Sequence, residues 1–256
     1  MGLDIYAGTL TRYYSGNWKL ITQQIAEQLG MSFSIMTPKG EYSPISNPEE
    51  ITDIQNCIQE WQSFLLESTP DEYKENMWEE NMEKEYFTDK PGWEAWTALA
   101  IFQYATFLNK PFPETICGNT MLECPLLKEG EENGIQSSLM KVQLWLPLEH
   151  SYMFSFIDPR SKEATLATIS FLEDELNDLN NKTWKADEST ILSWRNDEYY
   201  NPVKENNNFL KRLFQRKEEK KAPIYSTESL AKCAYSILYK AVKFAKEHKV
   251  PIVWDY

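Results

Sequence analysis

Residues 86–110, YFTDKPGWEAWTALAIFQYATFLNK, decide the fold. From Ala95 to Leu108 only Thr97, Gln103 and Thr106 are polar. At about 100° per residue, Gln103 and Thr106 are neighbours while Thr97 lies opposite Thr106, so no continuous polar face exists. A helix that is apolar all round is buried on most sides. This one is too short and too closely flanked by charge to cross a bilayer, which takes about 20 apolar residues. Asp89 is expected to cap it, with Pro91 tolerated in the first turn. The stretch is therefore expected to be the central core helix, with Trp93 and Trp96 as core anchors.

Working outward, Leu3, Ile5 and Ala7 alternate as one face of an opening strand, which places Asp4 and Tyr6 on the other. Thr9–Gly16 reads as an aromatic connection, and Asn17 as the cap of a helix from Trp18 to Leu29. Met31–Met36 reads as a second strand. Asn47-Pro48-Glu49-Glu50 is a strong helix start, and Ile51, Ile54, Ile58, Trp61 and Leu65 carry the helical period to Ser68. The charged run Asp71–Tyr86 predicts short helical pieces. Residues 110–134 form a long connection, which is either functional or conceals short elements. Strands are predicted over 143–148, 152–157, 164–167 and 250–254. Ser170 and Glu173 fit a capping box before a helix over 171–179. Trp184 and Trp194 read as anchors in a polar, Asn-rich stretch, 209–215 as a short helix, and Ser226 or Thr227 as the start of the last long helix. Short strands scattered among long helices predict an α+β fold, mainly helical, with a small mixed or antiparallel sheet. One domain over 1–256 is expected, with a subdivision near 110–140 as the alternative.

The formal charge of −13 disfavours nonspecific binding to nucleic acid or to anionic membrane, because both rest on cationic neutralisation. The charge is unevenly spread. Glu41–Glu94 holds 15 acids against three bases, whereas Tyr199 to Tyr256 holds six acids against 12 bases. Solvated helix faces explain such runs; an acidic docking surface for a basic protein partner is the functional alternative. Cys57, Cys117, Cys124 and Cys233 show no CxxC spacing, and packing among apolar neighbours is expected for Cys57 and Cys233. The N-terminal residues lack the pattern of a secretory signal, so a cytoplasmic protein with reduced thiols is expected.

Chemistry-bearing motifs are scarce. His150 and His248 belong to no metal-spaced cluster, and GxSxG, Walker A and GxGxxG are all missing from the sequence, so no metal or cofactor is expected. Carboxylates are the remaining acid–base candidates: Asp4, Asp89, Glu149 and Asp158. A pair of them folded to within about 5–9 Å would suit glycoside hydrolysis. Tyr13 and Tyr14, with Trp18 nearby, are candidates for a ligand cleft or an interface hot spot.

Two blocks, MGLDIYAGTLTRYYSGNW at 1–18 and YFTDKPGWEAW at 86–96, resemble motifs of a group of uncharacterised bacterial proteins that open with MGLDIY. Agreement extends to LEDELNDLN at 172–180. The resemblance implies no activity, and no functional residue can be carried over from it.

Three readings follow, the third being a structural or regulatory domain with no small ligand. The leading expectation is an acidic protein-binding module, in its most concrete form an immunity or inhibitor protein for a basic toxin or nuclease. It would dock through Glu49, Glu50, Asp71, Glu72, Glu79, Glu80, Glu83 and Glu85. The alternative is a small-substrate enzyme with a cleft near the opening strand, in which Asp4 serves as acid or base, Arg12 holds an anion and Tyr6 orients the substrate. Oligomeric state is not legible in the sequence.

Overall fold

A computed structural model of the chain describes residues 3–37, 40–115, 124–197 and 225–255. Cys117, the helix expected over 209–215 and the basic run 216–221 that follows it lie outside them. The fold is α+β and mainly helical, with one mixed six-stranded sheet. The chain divides into two units: residues 1–92, 137–178 and 237–256, and residues 93–136 and 179–236.

The first unit holds the whole large sheet. Its strands are β1 (Asp4–Ala7), β4 (Phe87–Asp89), β5 (Val142–Leu146), β6 (Met153–Ile157), β7 (Glu163–Thr168) and β8 (Ile252–Asp255), in the order β4-β1-β8-β5-β7-β6. All neighbours are antiparallel except β5 and β7. The alternation read in the first residues holds, but both faces are covered. One face gathers Tyr6, Leu144, Leu146, Leu166 and Val253 with Leu10 of α1 (Leu10–Ser15), and with Ile58, Trp61 and Leu65 of α3 (Pro48–Ser68). The other presents Ile5, Ala7, Trp145, Ala167, Ile252 and Trp254, all buried. On that side Phe87 meets Phe244 of the last helix, at 6.0 Å between ring centres.

Helix α3 starts as expected: the Asn47 side chain accepts the Glu49 N–H at 3.1 Å, and Pro48 occupies the first turn. Other expectations are corrected. The stretch Thr9–Gly16 contains a helix rather than an irregular connection. Asn17 does not cap α2 (Ile21–Gln28); its amide donates to Ser15 Oγ and to Ile45 O, closing the exit of α1. Of Met31–Met36 only Met36 joins a strand. It lies in β2 (Met36–Thr37), which pairs with β3 (Gly40–Glu41), while Met31 and Phe33 stay exposed because no sheet face receives them. Asp89 is the last residue of β4, opposite Ile5, and its carboxylate accepts the Lys90 N–H at 2.7 Å. In Asp71–Tyr86 the helical content before β4 is one 3-10 turn, Asp71–Tyr73. Cys57 is exposed, whereas Cys233 is buried as expected.

That irregular acidic run is nevertheless pinned. Glu80 is 3% exposed, and its carboxylate accepts the Leu10 N–H at 3.2 Å, the Thr11 N–H at 2.7 Å and the Thr11 hydroxyl at 2.9 Å. The Trp78 indole N–H adds a fourth bond at 2.6 Å. A buried carboxylate is tolerable only when its acceptor capacity is filled, and a helix N-terminus supplies the needed donors. Glu80 thus caps α1 from 70 residues away in sequence. A second buried carboxylate repeats the device. Glu175, in α7 (Ile169–Lys182), accepts the Ser138 N–H and hydroxyl at the start of α6 (Ser138–Lys141), and the Trp145 indole donates to the same hydroxyl at 3.0 Å.

The second unit is built round α4 (Gly92–Leu108), whose residues Ala95–Ala105 are all buried, as the sequence pattern requires. Trp96 is a core anchor, but Trp93, in the first turn, is exposed. The connection over 110–134 conceals α5 (Pro125–Glu132). Gly130 of α5 sits against the Tyr104 ring, where a Cβ would collide. Trp184 stacks on Phe102 at 4.8 Å and meets edge-on both Trp194 of α8 (Glu188–Asp197) and Tyr235 of α9 (Thr227–His248). Such pairs contribute about 0.5–1.5 kcal/mol each beyond their buried area.

Replacing Glu80 by Ala leaves two buried backbone N–H groups and an indole N–H without their acceptor. It is expected to lower the unfolding free energy by about 2–4 kcal/mol in urea denaturation. Glu79→Ala, one residue away and exposed, should change it by less than about 0.5 kcal/mol.

Candidate functional site

Two surfaces of the first unit gather the candidate residues. The first is acidic. With 21 residues, α3 runs about 30 Å. The segment after it returns along its side: Gln62 Nε2 donates to Trp78 O at 3.0 Å, and Gln55 Nε2 donates to Glu80 O at 2.6 Å, nearer the helix start. Arg12 then fixes the next carbonyls, donating to Met82 O and, at 3.2 Å, to Lys84 O. Its guanidinium lies 5.0 Å from the centre of the Tyr86 ring. These bonds orient a segment that has no helix or strand of its own. Glu79, Glu83 and Glu85 remain exposed on it, with Asp71 and Glu72 exposed just beyond the end of α3 and Glu49 and Glu50 at its start. Asp71 is paired with Lys74 at 2.6 Å, and that hydrogen bond holds its carboxyl below the usual range. Glu80 must be removed from the docking set: its burial and four bonds give it a structural role.

The second surface is a cleft of about 360 Å³ lined by Tyr13, Tyr14, Gly16, Trp18, Leu20, Ile35, Tyr42, Arg160 and Asp255. Helix α1 supplies Tyr13 and Tyr14, which meet edge-on at 5.1 Å, and Trp18 lies nearly parallel to Tyr13 at 5.8 Å. Gly16 ends α1 with φ +72°, and a Cβ there would strike the Tyr42 hydroxyl. Glycine is thus required twice over, for the left-handed turn and for the close approach of Tyr42. The Tyr13 hydroxyl donates to Asp255 Oδ1 at 2.9 Å. Burial, followed by the nearby Asp255 charge, pushes the Tyr13 hydroxyl far above the ordinary tyrosine value, so it stays a donor. Burial also pushes Tyr14 up to about 12. Arg160 is held by Asp158, with Nε to Oδ2 at 3.1 Å, and Asp158 also accepts the backbone N–H groups of Arg160 and Lys162.

Tyr13 and Tyr14, paired as cleft candidates by their sequence, therefore do share a cleft, but Asp4, Tyr6 and Arg12 are not among the residues lining it. Tyr6 is 0% exposed and its hydroxyl donates to Thr9 O at 2.9 Å, in the core. Arg12 spends its guanidinium on the carbonyls of Asn17, Met82 and Lys84. Asp4 is 5% exposed, directly across β1 and β8 from Asp255, with Oδ2 at 3.7 Å from Lys90 Nζ and Oδ1 without a hydrogen bond among the described residues. Desolvation raises its carboxyl above the ordinary value despite Lys90, and Asp255 raises it further. Of the other carboxylates, Glu149 is exposed and Asp158 serves its turn and Arg160. His150 meets Glu75, Nδ1 to Oε1 at 2.6 Å. Burial alone would raise Glu75, but the Glu149 and His150 backbone N–H groups and the His150 ring hold it low.

Sequence reasoning missed Tyr42, Arg160 and Asp255 because they reach the cleft through long-range pairing. The one local signal was the Asp158-Pro-Arg160 turn, whose Asp can fix a following Arg. Among the described residues no group of three or more His, Cys, Asp or Glu could hold a metal ion, and no helix is long and apolar enough to cross a membrane.

The raised Asp4 carboxyl has a definite pH consequence. Between its unfolded and folded values the folded state binds more protons, so stability falls as pH rises through that window and the cost is fully present above the folded value. Asp4→Asn should therefore raise the melting temperature at neutral pH, with the gain shrinking toward zero as pH drops below the unfolded Asp value. A gain that is constant with pH would contradict the desolvation of Asp4. No protein-family model matches the chain, and neither the curated proteins nor the solved structures contain a significant match to it.

Proposed function

We propose that the chain is a protein-binding module that recognises a basic partner through the acidic strip beside α3. The observation that carries this is the pinning of residues 78–85: Glu80, Arg12, Gln55 and Gln62 fix the backbone, while Glu79, Glu83 and Glu85 face solvent. A segment without regular structure that is held this firmly presents its charges in one geometry, which reduces the ordering cost of association. The charges steer a cationic partner and set its orientation. In its most concrete form the partner is a basic toxin or nuclease that the chain neutralises.

A second reading is favoured by its own observation. The cleft of about 360 Å³ lies at the lower end of the range for small-molecule sites, about 300–1,000 Å³, and combines aromatic walls with few polar groups. It supports a small-ligand site whose polar groups are Tyr13, Arg160 and Asp255 rather than Asp4, Tyr6 and Arg12.

The docking role is tested by affinity capture at low ionic strength with two baits, the wild-type chain and a Glu79→Lys, Glu83→Lys, Glu85→Lys variant. A basic protein retained by the first, released by salt and at least about tenfold weaker on the second is expected, since three reversed charges change both attraction and steering. Equal retention of the same proteins by both baits would remove the acidic strip from the interface.

A further inference from the structure

The cleft beside α1 carries both signs of charge on one aromatic-walled cavity. On one side stands Asp255. Its Oδ1 accepts the Tyr13 hydroxyl, whereas Oδ2 accepts no hydrogen bond among the described residues. On another stands Arg160. Asp158 takes its Nε–H at 3.1 Å, and its guanidinium lies 6.0 Å from the centre of the Tyr14 ring. Its two terminal Nη groups donate to no residue among those described, and the side chain is about half exposed, at 48%. Arg160 and Asp255 do not pair with each other within 4.0 Å. Tyr13, Tyr14, Trp18 and Tyr42 form the aromatic surface of the same cavity, and Leu20 and Ile35 add aliphatic surface.

This layout discriminates by charge. An uncharged apolar molecule seated here would strip water from a carboxylate and a guanidinium and return nothing to either. A simple cation would satisfy Asp255, with the tyrosine and tryptophan faces assisting, but would leave Arg160 covered and repelled. A simple anion would meet the bidentate fork of Arg160 but would face the Asp255 carboxylate. A ligand carrying one charge of each sign leaves neither group unpaired.

Resting on the small-ligand reading of this cleft, we propose that it binds a compact zwitterion, an ammonium and a carboxylate carried on an aromatic or large apolar body. The ammonium sits on Asp255 Oδ2 and the carboxylate on the Arg160 Nη groups, with the body against Tyr13, Trp18 and Tyr42. Free aromatic α-amino acids and short peptides both supply that chemistry. The Tyr13 hydroxyl orients Asp255 and Asp158 orients Arg160, so both charges are fixed before the ligand arrives.

The test is isothermal titration of the full chain with four probes: L-phenylalanine, the dipeptide glycyl-L-phenylalanine, 2-phenylethylamine and 3-phenylpropionate. At least one of the two zwitterions should bind about tenfold or more tightly than either single-charge analogue, equivalent to one well-made charged hydrogen bond. Which zwitterion binds identifies a free amino acid or a peptide as the source. Arg160→Gln, on a half-exposed side chain, should erase the preference over the amine, and Asp255→Asn should erase the preference over the acid. An amine that binds as tightly as both zwitterions overturns the zwitterion assignment while leaving a small-ligand cleft. Absence of binding by all four probes to the wild-type chain overturns both.

Discussion

The first unit depends on one buried carboxylate. Glu80 brings a negative charge into the core face of the sheet, and α1 meets it with two free N–H groups and a hydroxyl. Each side solves the other's problem. A six-residue helix has little stability of its own, because nucleation costs more than so few hydrogen bonds return. The carboxylate fills donors at its first turn, and those donors make the burial of Glu80 tolerable. Through this contact the acidic segment, α1 and α3 become one packed layer over Tyr6, Leu144 and Val253. Glu175 repeats the arrangement at the start of α6, so the unit twice uses a distant glutamate where a local capping residue would ordinarily serve.

The same contact explains where the sequence is legible and where it is not. Patterns that are local survive. The apolar circumference of α4 buried Ala95–Ala105, Asn47-Pro48 started α3, alternation found β1, and the short segments 143–148, 152–157, 164–167 and 250–254 match β5, β6, β7 and β8. The failures are elements whose stability comes from elsewhere in the chain. Helix α1 has no local N-cap side-chain bond, and β4 is three residues long and exists by pairing with β1. Met31–Met36 has good alternation but no sheet to lie on. Propensity and periodicity describe a segment's own preferences, and tertiary contacts override them when the segment is short.

The candidate sites divide in the same way. Tyr13 and Tyr14 were found because adjacent aromatics near an Arg stand out in any sequence. Their partners Arg160 and Asp255 could not be, since only the return of β8 beside β1 and the turn after β6 bring them to α1. Arg12 looked like an anion holder, yet it serves to tie down the carbonyls of the acidic segment. Glu80 looked like one more surface acid, and it is the anchor that lets its exposed neighbours hold position.

Amide hydrogen exchange tests the pinning most directly. In the wild-type chain the Leu10 and Thr11 N–H groups should exchange as slowly as core sheet amides such as Val253. In Glu80→Ala these two, together with amides of residues 78–85, should exchange much faster while Val253 stays protected. If Leu10 and Thr11 exchange rapidly in the wild-type chain, or equally slowly in the variant, Glu80 is not what holds α1 and the acidic segment together.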